Sequence, residues 1–416
     1  MLSANKTMNN DMLYHTHTLT NGIRLLYVPV ESPVVYCGFV VNVGTRDELA
    51  DEHGMAHFVE HMLFKGTERR KSWQVISRLE SVGGQIDAFT TKEETYVYTT
   101  IPAQHLERAM ELLADIVFHS TFPEHELEHE RGVVLEEIQS YNDSPAELIY
   151  DDFDNLLFGD TALGHNILGT EQTLQNTTSM RMRQFVQRCY TTDNIMFYLL
   201  GNGRGDKLVR LAERYFGVPA TKRTFRRVPP ETYRPTTQRR DKDTCQTHCM
   251  IGNRAYHQLH DDRFALLLLN NILGGPNMSS RLNMSVRERH GWAYTVESTL
   301  TLYVDTGVWS VYVGCDNSHE RDCLRLIHRE LCDLASHCVS PRALAKAKCQ
   351  LEGQMLIADE NRENMILTMA KAYLQTGHCL SNDEVHEALQ AVTADKLRQV
   401  AADIFDKRQL STLIFN

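Results

Sequence analysis

Two histidines and a glutamate stand in the pattern H-x-x-E-H between residues 57 and 61. On a helix, His57 and His61 project from one face one turn apart, and Glu60 lies beside them. Two imidazoles so placed can hold one metal ion, and zinc accepts nitrogen donors tetrahedrally while leaving one position to water. Glu60, close to that water without being a ligand, can remove its proton as general base. The pattern therefore predicts a catalytic zinc site, with two hydrogen-bonded core histidines as the alternative.

A catalytic zinc ion normally has three protein ligands, so a third must come from elsewhere in the chain. The segment from Glu124 to Ile138 is predicted as a helix in which Glu130 and Glu137 lie seven positions apart on one face. Glu137 borders apolar residues and could be the third ligand; the alternative is a surface glutamate on an acidic helix. His53 competes for the role, but three histidines spaced by four span about 12 Å of helix, too far to share one ion.

A second group of possible zinc donors comprises Cys245 and Cys249 with His257 and His260. The two cysteines lie in an alternating, strand-like run without a matching second pair of ligands, so buried thiols are the stronger interpretation. All ten cysteines are scattered along 416 residues, a length that needs no disulfide framework. We predict that they are reduced thiols.

The elements that must position these residues are a mixture of strands and helices. Residues 14–43 predict three strands, with a hairpin signal at Asn21-Gly22, and the apolar spacing becomes helical from Met55 onward. Strand-like and then helical sequence follows again in the second half, which suggests a duplicated αβ unit. Prolines and arginines between residues 217 and 242 predict a solvated linker, with a basic binding patch as the alternative.

We therefore predict an α+β fold with two similar αβ domains, each a mainly antiparallel sheet packed with helices. The predicted limits are 1–217 for an N-terminal zinc-binding domain, 218–240 for the linker and 241–416 for a C-terminal domain.

Charge and hydropathy exclude several classes of partner. The 43 basic and 54 acidic residues give a net charge of -11, which repels a nucleic-acid backbone. Residues Met1 to Leu13 have no apolar core and no arginine precedes Arg24, so we expect neither a secretory signal nor a transit peptide. The apolar run Pro33 to Val43 is too short to span a bilayer. We expect a cytoplasmic protein that binds neither nucleic acid nor membrane.

The H-x-x-E-H pattern, followed 76 positions after His61 by Glu137 in a Val-Val-Leu-Glu-Glu-Ile context, resembles the insulinase and mitochondrial-processing-peptidase family of zinc metallopeptidases. The similarity covers nearly the whole chain, including residues 54–67, 83–98, 163–170 and 273–314. The resemblance implies that His57, His61 and Glu137 bind one zinc ion per chain. It makes Glu60 the general base and Glu130 an acidic residue that supports the site.

The resemblance also implies contacts to the substrate from the second half of the chain. Arg287 and Tyr294, seven positions apart, match residues that touch the substrate in the family. An arginine can hold a substrate carbonyl, and a phenol can donate a hydrogen bond to the oxyanion of the tetrahedral intermediate. Without the resemblance, a surface arginine and a core tyrosine would be the preferred interpretation.

A short segment of the first half matches the edge strand on which family members lay an extended substrate. It consists of Asp87, Ala88, Phe89 and Thr90, with Asp87 where the family often has Asn. Main-chain hydrogen bonds are the same for any peptide, so such pairing explains a loose sequence preference.

The function that the resemblance implies is a zinc endopeptidase acting on short or unfolded peptides. Chains of this length correspond to half of the long insulinase type, so we expect a homodimer in which the second domain of one chain faces the zinc site of the other. The alternative is a non-catalytic or partner-dependent subunit of a processing-peptidase-like complex, although such members typically lack the zinc residues.

Overall fold

Twelve strands form two sheets within residues 3–4, 14–203, 205–230, 233–242 and 244–416, which the computed structural model describes. The expectation about a secretory signal or a transit peptide concerns residues 1–13, of which 1–2 and 5–13 lie outside these ranges. The strands are β1 (Ser3–Ala4), β2 (His15–Thr18), β3 (Arg24–Pro29), β4 (Val34–Val41), β5 (Gln85–Thr90), β6 (Thr95–Pro102), β7 (Ile195–Gly201), β8 (Thr237–Arg240), β9 (Thr247–Ala255), β10 (Ala293–Leu302), β11 (Gly307–Cys315) and β12 (Ser411–Phe415). The three strands predicted for residues 14–43 correspond to β2, β3 and β4.

Helices make up most of the remaining chain. They are α1 (Met55–Leu63), α2 (Ser72–Glu80), α3 (Leu106–His119), α4 (Glu124–Asn142), α5 (Pro145–Phe158), α6 (Glu171–Gln175), α7 (Ser179–Cys189), α8 (Gly205–Tyr215), α9 (Arg263–Gly274), α10 (Glu320–Ser336), α11 (Pro341–Asp359), α12 (Arg362–Thr376), α13 (Asn382–Ala391) and α14 (Ala394–Ile404), with a π-helical segment at Asn283–Glu288. Across the described ranges, none of these helices combines the length and the apolar character that crossing a membrane requires.

The first sheet has the strand order β1-β2-β3-β7-β4-β6-β5. Adjacent strands in this sheet are antiparallel, except for β3 and β7, which run parallel to each other. Side chains alternate across the sheet, so Phe39 of β4 packs into the main core with α1 and α3 while Val40 faces the other side. That second face is covered by α12, through Ile366, Ala370 and Leu374. β5 lies at the edge of the sheet.

The second sheet has the order β10-β11-β9-β12-β8, antiparallel except for the β12–β8 pair. One face packs against α9, α10 and α14, with Trp309 fully buried among their apolar side chains. The opposite face is covered by α5, whose Phe153 and Leu157 contact the cluster that contains Met250 and Phe415. The predicted class, α+β with two mainly antiparallel sheets, is confirmed.

Two compact units emerge from the contacts, and neither is continuous along the chain. One contains residues 1–138, 166–227 and 358–381, and the other contains residues 139–165, 228–357 and 382–416. The limits at 217 and 241 stay predictions about domain boundaries. The helix α5, from the first half of the chain, belongs to the second unit, and α12, from the second half, belongs to the first unit. Each covers one face of a sheet, because a sheet with two apolar faces needs both of them covered.

Arginines of the predicted linker take part in buried ion pairs of the first unit. Arg227 is only 6 % exposed, and it donates to both oxygens of Asp47 at 3.0 and 2.7 Å. Arg223 donates to the same carboxylate at 3.1 Å. The expectation of a solvated linker is therefore wrong for these two residues, since a carboxylate taken fully out of water requires cationic partners.

Removal of the Asp47 charge is expected to destabilise the protein strongly. Asp47→Asn removes the buried carboxylate that Arg223 and Arg227 share and leaves Arg227 with Glu93 at 3.5 Å, which costs about 3–5 kcal/mol of unfolding free energy. Asp51→Asn is the control, because the Asp51–Arg181 pair is exposed and such pairs contribute about 0–1 kcal/mol. Urea denaturation followed by circular dichroism measures both losses of unfolding free energy, and equal losses would show that the buried Asp47 pairs contribute no more than the exposed pair.

Candidate active site

The helix that carries the H-x-x-E-H residues begins at a glycine and is held by a partly buried carboxylate. Gly54, which precedes α1, has φ of 88°, a left-handed conformation that favours glycine. The side chain of Glu48 accepts hydrogen bonds from the N–H groups of Gly54 and Ala56 at 3.0 and 2.8 Å. These bonds satisfy donors that a helix start leaves unpaired. Phe58 and Val59 are fully buried, so the helix is fixed on its core side.

A second glycine packs against the first. A Cβ built on Gly54 would lie 2.6 Å from the carbonyl oxygen of Leu168, and one built on Gly169 would lie 2.3 Å from that of His53. Thr173 also donates to the His53 carbonyl at 2.6 Å. The loop before α6 thus determines where α1 begins, and only residues without a side chain allow the approach.

Gly169→Ala is expected to destabilise the protein and to weaken metal binding. Gly169 has φ of 76°, and a Cβ there meets backbone atoms, so left-handed strain and a steric clash together cost about 2–5 kcal/mol. Gly132→Ala is the matched control, because Gly132 lies in α4 with no atom within 4 Å of the added carbon. The control is expected to be neutral or up to about 1 kcal/mol stabilising. Urea denaturation and the zinc content of the purified chains test the contrast.

His57, His61 and Glu137 lie close enough to share a metal ion. The Nε2 atoms of His57 and His61 are 3.2 Å apart, and Oε2 of Glu137 lies 3.8 and 3.6 Å from them. A tetrahedral zinc ion separates its nitrogen and oxygen ligands by about 3.4 Å. Within the described ranges this is the single such group of His, Cys, Asp and Glu side chains. The side chain of Glu137 is 43 % exposed, so solvent reaches the cluster.

The protonation state of the cluster also fits zinc. Burial, and secondly the nearby His61, lower the pKa of His57 to about 3, so its imidazole is neutral. Neutral imidazoles offer a lone pair to a metal, and two with a carboxylate form a donor set that zinc prefers. The residues present therefore suit a zinc ion.

Glu130 contacts the back of His61. Its Oε1 lies 2.9 Å from Nδ1 of His61, and its Oε2 lies 2.5 Å from Nζ of Lys65. Burial favours a higher pKa for Glu130, but the hydrogen bonds from Lys65 and His61 outweigh it and hold the pKa below its ordinary value. A carboxylate so placed keeps the proton of His61 on Nδ1 and leaves Nε2 for a metal.

Glu60 is a buried carboxylate beside the cluster. Its Oε2 accepts a hydrogen bond of 2.6 Å from Oγ1 of Thr90. Burial raises the pKa of Glu60, and the bond from Thr90 works against that rise. A carboxyl group with a raised pKa accepts and returns protons more readily near neutral pH. The sequence did not predict the contact between Thr90 and Glu60, because it identified Thr90 only as a residue of the edge strand.

Asp87, Ala88, Phe89 and Thr90 all lie on β5, which pairs with β6 alone among the described strands. Ala88 packs toward the core that contains α1, and Phe89 stacks on Tyr96 on the opposite face at 4.5 Å between ring centroids. Asp87 accepts a hydrogen bond from Tyr98 at 3.4 Å. The free edge of β5 can therefore add a further strand.

Arg287 and Tyr294 belong to the other compact unit and lie close to each other. Arg287 is in the π-helical segment, and its guanidinium carbon is 6.0 Å from the centroid of the Tyr294 ring. Tyr294 is 82 % exposed, so the alternative of a core tyrosine is wrong. An exposed phenol beside an arginine is free to bind a group from outside this unit.

Among the residues that the structure describes, the cysteines do not form a second group of metal donors. Cys249 is buried, as the interpretation of buried thiols requires, but Cys245 is exposed, so that interpretation is wrong for Cys245. Within the described residues these cysteines do not gather with His257 and His260 into a possible metal-binding group. All ten cysteines are unpaired in the structure, and their reduced state stays a prediction.

Comparison with known proteins connects this geometry to one family. The model of the family described as insulinase (peptidase family M16) matches residues 28–171, and that described as the peptidase M16 inactive domain matches residues 177–351. A protein of Bacillus subtilis named uncharacterized zinc protease YmxG is 32 % identical over 401 residues, covering 96 % of this chain and 97 % of its own length. A relative from Streptomyces coelicolor, also named an uncharacterized zinc protease, is 32 % identical over 95 % of this chain and 88 % of its own. The crystal structure of a protease from Helicobacter pylori has the same fold, with a TM-score of 0.87 at 22 % identity over 97 % of this chain and 99 % of that one.

Proposed function

The chain belongs to the insulinase family, peptidase family M16, and from that membership we propose that it is a zinc-dependent endopeptidase that hydrolyses short or unfolded peptides. The observation that carries the proposal is the joint placement of His57, His61 and Glu137 around one point, with the buried carboxylate of Glu60 on the same helix. One zinc ion per chain would be held by the two imidazoles and the Glu137 carboxylate.

The catalytic chemistry then divides between the metal and the protein. Zinc, when bound, supplies Lewis acidity toward the scissile carbonyl and toward water. Glu60 takes a proton from the attacking water and delivers it to the leaving amine. Thr90 holds Oε2 of Glu60 through its hydroxyl, which orients the carboxylate and leaves its second oxygen for the proton. Glu130 keeps His61 in the orientation that offers Nε2.

The substrate is proposed to bind as an extra strand along β5. Its main chain pairs with the free edge, so affinity does not depend on one particular sequence. Side chains of a bound peptide would alternate between the face that Thr90 shares with Glu60 and the face of Phe89 and Asp87. This pairing requires an extended peptide, which accounts for the proposed preference for short or unfolded chains.

Arg287 and Tyr294 are proposed to complete the site from the partner chain of a homodimer. Their mutual contact and the exposure of Tyr294 support this role, because an exposed phenol can donate to an oxyanion that a partner presents. A chamber between two chains would exclude folded proteins. We also propose that this dimer is cytoplasmic.

A non-catalytic or partner-dependent subunit is the second candidate function. The match of residues 177–351 to the family model of the inactive domain favours it. In that case the chain would bind zinc but need a different partner chain to cleave peptides. The active enzyme is favoured because the chain has His57, His61 and Glu137 as metal ligands and also Glu60 as general base.

Purified alone, the chain is expected to carry about one zinc ion and to cleave a mixture of unstructured peptides. Chelation of the metal should abolish cleavage, and addition of stoichiometric zinc should restore it, because catalysis requires the metal. Metal analysis, mass spectrometry of the peptides and light scattering for the oligomeric state test the proposal together. A zinc-loaded but inert chain would favour the partner-dependent subunit, and a chain that binds no metal would contradict both the ligand set and the enzyme.

A further inference from the structure

Lys65 forms the outer end of a series of contacts that reaches the metal-binding cluster. It lies two residues beyond α1, and its Nζ is 2.5 Å from Oε2 of Glu130. The other oxygen of the same carboxylate is 2.9 Å from Nδ1 of His61. His61 in turn presents Nε2 to His57 and Glu137. The contacts therefore run from Lys65 through Glu130 and His61 to the cluster.

The position of Glu130 depends on a cation. Its side chain is only 9 % exposed, and a carboxylate so far removed from water is costly unless it is paired and hydrogen-bonded. In the part of the chain that the structure describes, Lys65 is the one lysine or arginine ion-paired with Glu130. Without that cation, no other described residue holds Oε2, and the carboxylate would rotate toward solvent, which removes the acceptor that faces His61.

We propose that Lys65 is a positioning residue for the zinc site: it holds Oε2 of Glu130 so that Oε1 remains the acceptor for Nδ1–H of His61 and Nε2 of His61 remains free for the metal. This inference rests on the proposed function, and it extends the role of supporting residue from Glu130 to Lys65. At position 65 the positive charge matters more than the length of the side chain, since an arginine can make the same ion pair with a carboxylate.

The sign of the effect distinguishes positioning from simple electrostatics. A cation near the site repels a zinc ion, so its removal on electrostatic grounds alone would tighten zinc binding. Loss of positioning has the opposite result. When a ligand histidine loses the carboxylate that accepts its second N–H, zinc affinity typically falls by about 10–100-fold. We expect the second effect to be the larger, because Glu130 contacts the ligand His61 directly at 2.9 Å, whereas the charge of Lys65, a side chain 27 % exposed, is partly screened by solvent.

The test is the zinc affinity of the full chain, freed of metal and titrated in competition with a chromogenic chelator. Lys65→Met is expected to weaken zinc binding about tenfold, and Glu130→Gln by about ten- to a hundredfold. Lys65→Arg should recover most of the affinity. The double variant should bind no more weakly than Glu130→Gln alone, because Lys65 acts through Glu130. Lys71→Met, a change at an exposed lysine, is the matched control and should leave the affinity unchanged.

Thermal unfolding of the metal-free variants reports whether each is folded, and Lys65→Gln replaces Lys65→Met if the latter does not fold. Unchanged or tighter zinc binding by the folded Lys65 variant would overturn the proposal. Additive losses in the double variant would overturn it as well, since Lys65 would then act independently of Glu130. These results differ from a failure of the proposed function, in which the unaltered chain itself binds no zinc.

Discussion

Glu60→Gln is expected to lower peptide cleavage by about 10²–10⁴-fold while the chain keeps its zinc. The amide has nearly the size of the carboxylate and can still accept the hydrogen bond from Thr90, but it cannot take a proton from water. Glu60 is not among the grouped donors of His57, His61 and Glu137, so metal binding should survive. Initial rates on an unstructured peptide, with zinc measured in the same sample, give both quantities.

Glu80→Gln is the control for that experiment. Glu80 ends α2 at an exposed position of the same unit, so the same chemical change there should leave cleavage unaltered. Undiminished turnover in the zinc-loaded Glu60→Gln chain would remove Glu60 from the role of general base. Loss of zinc together with activity would instead place Glu60 among the groups that hold the metal.

Glu137→Gln is expected to lose both zinc and activity. The amide has no negative charge to offer the cation, and the two histidines alone provide fewer protein ligands than a catalytic zinc site normally has. We expect zinc affinity to fall by at least about a hundredfold, more than the loss on changing an outer residue such as Glu130. Chelator competition measures the affinity, and peptide cleavage at saturating zinc shows how much activity returns.

Glu136→Gln provides the matched control for this change. Glu136 precedes Glu137 on α4 and is exposed, so it carries the same charge and belongs to the same helix but lies outside the cluster. Its substitution should change zinc affinity by less than about twofold. Equal zinc affinity in both variants would mean that Glu137 is not the third ligand, and the zinc site would then need another carboxylate.

The local part of the site could be predicted because helix geometry links spacing to direction. Residues at i, i+3 and i+4 share a face, so the H-x-x-E-H pattern alone places His57, Glu60 and His61 together. Glu137 lies far from the motif along the chain, and the residues alone left two interpretations open for it: the third ligand, or a surface glutamate on an acidic helix. The family resemblance selected it, and the folded chain brings Oε2 of Glu137 to 3.6 Å from Nε2 of His61.

Contacts between distant residues without such a pattern could not be predicted. The hydrogen bond from Thr90 to Glu60, the Lys65–Glu130 pair and the approach of Gly169 to His53 each join segments whose relative position depends on the whole unit. The solvated linker was wrong at Arg227 for the same reason, since only the folded chain buries Asp47 beside it. The exposure of Tyr294 likewise follows from packing and not from residue type.

The sequence by itself determined the class of fold, the motif helix and the type of metal that its donors suit, because periodicity and side-chain chemistry are local properties. Tertiary structure alone decided which residues hold Glu60 and Glu130 in place and which helices cover the two sheets. Those choices depend on burial, and burial exists only once segments far apart in the chain have packed against each other. The helix α12, which lies late in the chain yet covers the first sheet, is the clearest instance.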